Sequence, residues 1–196
     1  MKSITRTEEK RRLREELRGQ ERRLTRAALS ASNRMLTKRF LALAEVAAAN
    51  TVLLYCSMGA EPDTKLLLQE LETKGKRIAL PRCLPDNRME TRLYMDQVPL
   101  IRHPYGMWEP SSQHMLVRTD EIDLALVPAL AYDIRGIRLG RGGGYYDRYL
   151  GDFSGVTVGL CRDVLLQERL PAEAHDRPVD IVLTETWLFR CGQRTR

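Results

Sequence analysis

The chain lacks the features that would mark several large classes of protein. No apolar run approaches the roughly 20 residues that span a membrane. No secretory hydrophobic segment stands near the N-terminus, and Glu8, Glu9, Glu15, Glu16 and Glu21 argue against an acid-poor mitochondrial transit peptide. Cys56, Cys83, Cys161 and Cys191 are scattered, with no CxxC pair, so no zinc site is expected. Most lie in or beside apolar runs, where a free thiol behaves as a small hydrophobe, and a reducing cytoplasm fits them. No internal repeat or low-complexity segment is visible. The P-loop pattern GxxxxGK[ST] is absent. The dinucleotide fingerprint GxGxxG fails too, because Tyr145 stands where its last glycine should be.

What remains is an ordinary globular composition, 43% hydrophobic and 30% charged, over 196 residues. That length accommodates one domain with a substantial core, and a single domain is expected. The formal net charge is +6. Residues 1–39 carry 13 Lys/Arg against 5 Asp/Glu, so the basic excess is N-terminal. Such a segment suits nucleic acid, an acidic surface or an anionic small molecule, and equally a solvated helix face.

The informative stretch is Gly136–Leu150, GIRLGRGGGYYDRYL. Gly140, Gly142, Gly143 and Gly144 let the backbone approach a ligand closely and turn consecutive N–H groups into an anion nest. A helix starting at YYDRYL would add its free N–H groups. Arg138 and Arg141 can grip phosphate oxygens in bidentate fashion, and Asp147 can hold Mg²⁺. A bare glycine cluster reads equally well as a mobile loop. The arginines and the acid tilt this one toward phosphate.

Around it, strands alternate with helices. A charged helix is predicted over 7–30, with Leu13, Leu17 and Leu24 as its stripe and Lys10 and Arg14 on one face. A second is predicted over 30–49, capped by Ser30 or Ser32, with Leu36, Phe40, Leu43 and Ala47 inward. Thr51–Cys56 reads as a buried strand, 65–74 as a helix and Arg77–Pro81 as the next strand. Met89–Met95 reads as a short strand, and the proline-rich remainder to 121 as loop. Asp123–Val127, Val156–Cys161 and Asp180–Leu183 are further strands, with a short helix over Asp163–Arg169. The tail after Trp187 reads as frayed. The fold class is therefore α/β, a mainly parallel sheet of about six strands with helices on both faces.

RLGRGGGYYDRYL closely resembles the signature of the 5-formyltetrahydrofolate cyclo-ligase family. Other segments agree. Lys10 and Arg14 match an N-terminal Lys-x-x-x-Arg, Ser57, Glu61 and Thr64 match Ser-x-x-x-Glu-x-x-Thr, and YGMWEP resembles Gly-x-x-Glu-Pro. The closing segment PAEAHDRPVDIVLTE matches as well. Ala129 departs from the family, which has glycine there, and this puts the local backbone course in question. The resemblance covers residues 8–187. It implies a three-layer architecture like the sugar-phosphate isomerase and CoA-transferase folds.

It also implies ATP- and Mg²⁺-dependent cyclisation of 5-formyltetrahydrofolate to 5,10-methenyltetrahydrofolate. The residues expected at ATP are Lys10, Arg14, Arg138, Gly140, Arg141, Gly142, Gly143, Gly144 and Tyr145. Those expected at the folate are Cys56, Glu61, Trp108 and Tyr146. Asp147 and Asp176 are the expected magnesium ligands, and Arg141, Tyr145 and Tyr146 surround the reacting groups. His175 is read as ordering its loop. The expected partners are small molecules, the chain a cytoplasmic monomer. Two other readings are an RNA-binding module using the basic helix and a sugar-phosphate isomerase-like enzyme. The first lacks interleaved surface aromatics, and the second would need no ATP hydrolysis.

Overall fold

The computed structural model describes residues 5–191. Helix α1 (Arg6–Arg22) opens it, capped by Thr5, which accepts from the Glu8 N–H at 3.3 Å. The predicted helices over 7–30 and 30–49 are divided differently, into α1, α2 (Arg26–Leu41) and α3 (Ala44–Ala48). Thr25 accounts for the first break. Its hydroxyl accepts from the Ala28 N–H at 3.2 Å, so a new helix starts there and not at Ser30 or Ser32. The second break, at Ala42–Leu43, resets the helical phase. Leu36, Phe40 and Leu43 are buried as predicted, but Val46 takes the inward place assigned to Ala47, which is exposed.

After α3 come β1 (Thr51–Leu53), α4 (Lys65–Thr73), β2 (Arg77–Leu84) and β3 (Arg88–Leu93). Short strands β4 (Ile101–Arg102), β5 (Trp108–Glu109) and β6 (Leu116–Val117) occupy the stretch read as loop. Then follow β7 (Leu124–Val127), β8 (Ala131–Tyr132), β9 (Arg138–Leu139), α5 (Tyr145–Tyr149), β10 (Val156–Leu160), β11 (Ile181–Leu183) and β12 (Leu188–Arg190). In place of the helix predicted over Asp163–Arg169 there is only a 3-10 turn, Asp163–Leu165. Gln167 instead pairs with the chain beside it, donating its N–H to the Tyr132 carbonyl at 2.9 Å. Pro171 also disfavours helix at the residue before it.

Eight strands form one sheet in the order β12-β11-β10-β7-β1-β2-β3-β6. The run from β11 to β2 is parallel, and β12, β3 and β6 are antiparallel additions at the edges. The mainly parallel sheet is as predicted, and β12 and β6 extend it past the expected six strands. Leu188–Arg190 is therefore a paired edge strand and not a frayed tail. A turn seeds it, with the Trp187 N–H donating to Thr184 Oγ1 at 2.8 Å.

Side chains alternate across the sheet and feed two cores. Val52, Leu54, Leu124 and Leu126 face Leu36, Phe40, Val46 and Leu67 of α2, α3 and α4. Leu53, Ala125 and Val127 face Leu17 of α1 and Phe153 after α5. That is the expected three-layer arrangement. Tyr132 fills the second core, and its hydroxyl donates to the Val127 carbonyl at 2.6 Å. Its ring lies flat on Gly159, where a Cβ would come within 2.3 Å of it. This explains a glycine inside β10. Ala129 is not among the residues with positive φ, so a Cβ is accepted there without backbone strain.

The order of the parallel strands reverses between β1 and β7. In open α/β sheets the crevice at such a switch point, beyond the carboxyl ends of the strands, receives ligands. The loops after β1 and β7 hold Glu61 and the glycine stretch.

Candidate active site

Those two loops enclose a cleft of about 830 Å³, closed on its other sides by α1, the hairpin of β4 and β5, and residues 173–176. Every residue assigned from the sequence to ATP, magnesium or folate lines it. These residues come from segments as distant as Lys10 and Asp176, and only the fold brings them together.

The glycine loop runs from β9 to α5. Gly142 (φ 104°) and Gly144 (φ 68°) occupy the left-handed region, which residues with a Cβ avoid. Gly144 caps α5, which forms as expected at YYDRY but extends only five residues. Its dipole is correspondingly small, so the loop backbone itself is the main source of N–H donors. Arg14 reaches across from α1 and donates from Nε to the Gly140 carbonyl at 2.9 Å. Asp133, fully buried, fixes the start of the loop. It accepts from the N–H groups of Arg135, Ile137 and Leu170 and pairs with the Arg135 guanidinium.

The assigned cations and acids are paired with one another. Lys10 Nζ lies 2.7 Å from Asp176 and 2.8 Å from Glu173. Arg138, almost fully buried, pairs with Asp147 and also donates to the Arg177 carbonyl. Arg141 donates from Nε to Glu61 Oε1 at 2.9 Å, and its Nη2 lies 2.8 Å from the same oxygen. The other oxygen of Glu61 accepts from the Met58 N–H at 2.8 Å. Among the described residues, Asp147 Oδ2 and Asp176 Oδ1 accept no hydrogen bond. Two carboxylates with free oxygens beside a phosphate-type loop are the hard donor set that Mg²⁺ takes.

Burial sets the protonation of the remaining groups. Desolvation pushes the Tyr146 phenol well above its usual range, and its hydroxyl is buried with no hydrogen-bond partner among the described residues. Desolvation, with a contribution from the Glu109 charge, raises the Cys56 thiol to about 11. Both therefore keep their protons at neutral pH. Burial lowers Lys10, but its hydrogen bonds to Asp176 and Glu173 outweigh that and leave it raised. For Asp176, burial raises the carboxyl, and the bonds from Lys10 and the Glu173 N–H overcome it and leave it lowered.

Trp108 on β5 and Tyr105 in the hairpin turn present rings at the mouth of the cleft and are 52% and 70% exposed. Trp108 thus lines the wall of the cleft. His175 is exposed, its Nε2 3.8 Å from Asp176 Oδ1.

Three residues that shape this site receive no role from the sequence, although Glu109 and Glu173 lie in matched segments. Glu173 shares Lys10 with Asp176. Glu109 is buried behind Cys56 and Cys83. Arg162, only 2% exposed, donates to the Ala60 carbonyl at 2.9 and 3.2 Å and to the Glu61 carbonyl at 3.3 Å. It is held by Asn33 and by Ser32, which donates to Glu185. For Arg162 the hint in the sequence is its position just past β10, at the carboxyl edge of the sheet.

The family model described as 5-formyltetrahydrofolate cyclo-ligase family matches residues 6–185. Several curated relatives bear the name 5-formyltetrahydrofolate cyclo-ligase. The Haemophilus influenzae protein is 34% identical over 73% of this chain and 80% of its own. The Mycolicibacterium smegmatis protein is 35% identical over 70% and 74%. Among solved structures, the NMR structure of Aquifex aeolicus 5,10-methenyltetrahydrofolate synthetase superposes with a TM-score of 0.83 at 30% identity, covering 92% of each chain. The Mycoplasma pneumoniae synthetase, at 19% identity and a TM-score of 0.74, shares the fold. On the match over residues 6–185, and on relatives this similar over most of their length, the chain belongs to the 5-formyltetrahydrofolate cyclo-ligase family.

Proposed function

We propose that this cleft converts 5-formyltetrahydrofolate and ATP to 5,10-methenyltetrahydrofolate, ADP and phosphate. One observation carries the reading beyond family membership: all the residues assigned to nucleotide, metal and folate line a single cleft at the switch point of the sheet.

A formamide oxygen is a poor leaving group. In the first step it attacks the γ-phosphorus of ATP, the bond to the β-phosphate oxygen breaks, and ADP departs. The oxygen is now part of a phosphate ester. In the second step the N10 lone pair attacks the formyl carbon. The C–O bond breaks, phosphate leaves with the N10 proton, and the five-membered ring closes as an amidinium.

Phosphoryl transfer depends mostly on positioning and charge neutralisation. Lys10 and Arg14 bind the polyphosphate from α1. Arg138, Arg141 and the backbone of Gly140, Gly142, Gly143 and Gly144 hold the transferred group, with Tyr145 beside them. Asp147 and Asp176 would hold Mg²⁺. Bound there, the ion would neutralise charge on the phosphate oxygens.

Glu61 accepts from the N–H donors of the pterin, and Trp108 offers its face to a ring of the folate. The contact between Glu61 and Arg141 supports this reading, since a direct transfer requires the folate-binding acid close to a phosphate-binding guanidinium. Tyr146 keeps its proton, so it acts as a hydrogen-bond donor to the reacting oxygen and not as a base. Cys56 packs as a neutral thiol. In this reading the chain works as a cytoplasmic monomer on small molecules.

The test is absorbance. Protein, 5-formyltetrahydrofolate, ATP and Mg²⁺ are mixed, and the near-ultraviolet band of the methenyl product is followed. A rise that needs both ATP and Mg²⁺ is expected. A flat trace from folded protein removes the assignment.

A further inference from the structure

Among the described residues, the hairpin of β4 and β5 pairs with no strand of the main sheet. Its two strands join only each other, Ile101 opposite Glu109 and Arg102 opposite Trp108. Yet it carries Trp108 and Tyr105, which form the mouth of the cleft. Something must hold it against β2.

Behind those rings lie Cys83 of β2, His103 of the hairpin turn and Glu109 of β5. Their ligating atoms are all within 4.8 Å of one another. Glu109 is 6% exposed and has no cationic side chain within ion-pair distance among the described residues. One oxygen accepts from the Cys83 N–H at 3.0 Å, and among the described residues the other accepts nothing. A buried carboxylate without a counter-ion is costly, and such groups are normally paired or bound to a metal. His103 Nδ1 accepts from the Tyr105 N–H at 3.1 Å, and a metal at this ring takes a lone pair of the neutral imidazole.

We propose that Cys83, His103 and Glu109 bind a divalent transition ion of the zinc type, which fastens the β4–β5 hairpin to β2. One thiolate, one imidazole and one carboxylate form a borderline donor set that suits Zn²⁺ and is poor for Mg²⁺. Three protein ligands leave a fourth position for water. Binding breaks the Cys83 S–H bond, forms the metal–sulfur bond and releases the proton to solvent, with no change of oxidation state. A thiolate and a carboxylate together neutralise the dication. The site is separate from the pair assigned to Mg²⁺, Asp147 and Asp176. A zinc-type ion here would run against the expectation of no zinc site. That expectation rested on CxxC spacing, whereas these ligands stand 20 and 6 positions apart and meet only in the fold.

The experiment is a Co²⁺ titration of the full chain, stripped with chelator, followed by absorbance. Stoichiometric appearance of a thiolate-to-cobalt band in the near ultraviolet, abolished by Zn²⁺, is expected. Cys83→Ser should remove the band. His103→Gln and Glu109→Gln should keep it but weaken binding by about tenfold or more. Cys56→Ser, which changes the neighbouring thiol, should leave it intact. Circular dichroism establishes that each variant is folded, and Cys83→Ser with His103→Gln suffices if Glu109→Gln is not. No band, a band that survives Cys83→Ser, or one lost with Cys56→Ser overturns the proposal. None of these readouts depends on folate turnover.

Discussion

Lys10 Nζ lies 2.7 Å from Asp176 Oδ2, although 166 positions separate the two residues. The contact ties α1, the first described helix, to the loop before β11. It joins a residue assigned to ATP with one assigned to Mg²⁺. The pair is nearly buried, so solvent screens it less than a surface pair.

This pair makes stability depend on pH. The Asp176 carboxyl is lowered in the fold from an ordinary value of 3.8. Its contribution is therefore present above that value and lost as pH falls through the lower, folded value. Lys10 is raised from 10.5, so its share is present below that and lost as pH rises through the folded value. Tm measured against pH should fall at both ends. Asp176→Asn should flatten the acid limb, and an unchanged acid limb in that variant would count against the linkage.

Asp147 carries the clearest metal prediction. Asp147→Asn keeps the shape and the contact with Arg138 but removes the charge. Turnover at fixed Mg²⁺ should fall about 100-fold or more, with the circular dichroism spectrum unchanged. Full activity would remove Asp147 from the metal.

Tyr146 has a buried, unpartnered hydroxyl that retains its proton. Tyr146→Phe should lower kcat by about 100-fold, as loss of a donor to developing negative charge does. It should leave no new inflection in the pH–rate profile below pH 10, because the phenol does not titrate there. An effect on KM alone would make it a binding group.

Arg162 holds the loop of Glu61 by its carbonyls. Arg162→Met should raise KM for the folate with little change in KM for ATP. It should also cost about 1–3 kcal/mol of stability, since buried acceptors are left unsatisfied. Lysine lacks the planar fork and should rescue only part of it. Equal rises in both KM values would point to general loosening.

Much of this protein was legible from local chemistry. Continuous apolar runs mark β1 and β7, which are covered on both faces. The clustering of four glycines with Arg138, Arg141 and Asp147 marks an anion site before any neighbour is known. These signals persist in sequence because each is confined to a few adjacent residues. The helix boundaries were less legible, since Thr25, a single capping side chain, outweighed a continuous helical pattern. The strand β12 was missed because three residues form a strand only when β11 offers its edge.

Which partner each charge chooses was decided by tertiary structure alone. Nothing local pairs Lys10 with Asp176, Arg141 with Glu61, or Arg162 with the carbonyls of Ala60 and Glu61. Nor does anything local gather Cys83, His103 and Glu109 behind the aromatic wall. Coulomb and hydrogen-bond energies depend on distance in space, and the crossovers of a parallel sheet bring together residues far apart in the chain. The sequence by itself determined the kind of chemistry, a phosphate-gripping loop on an α/β sheet. The order of the strands determined where that chemistry meets its second substrate, at the reversal between β1 and β7.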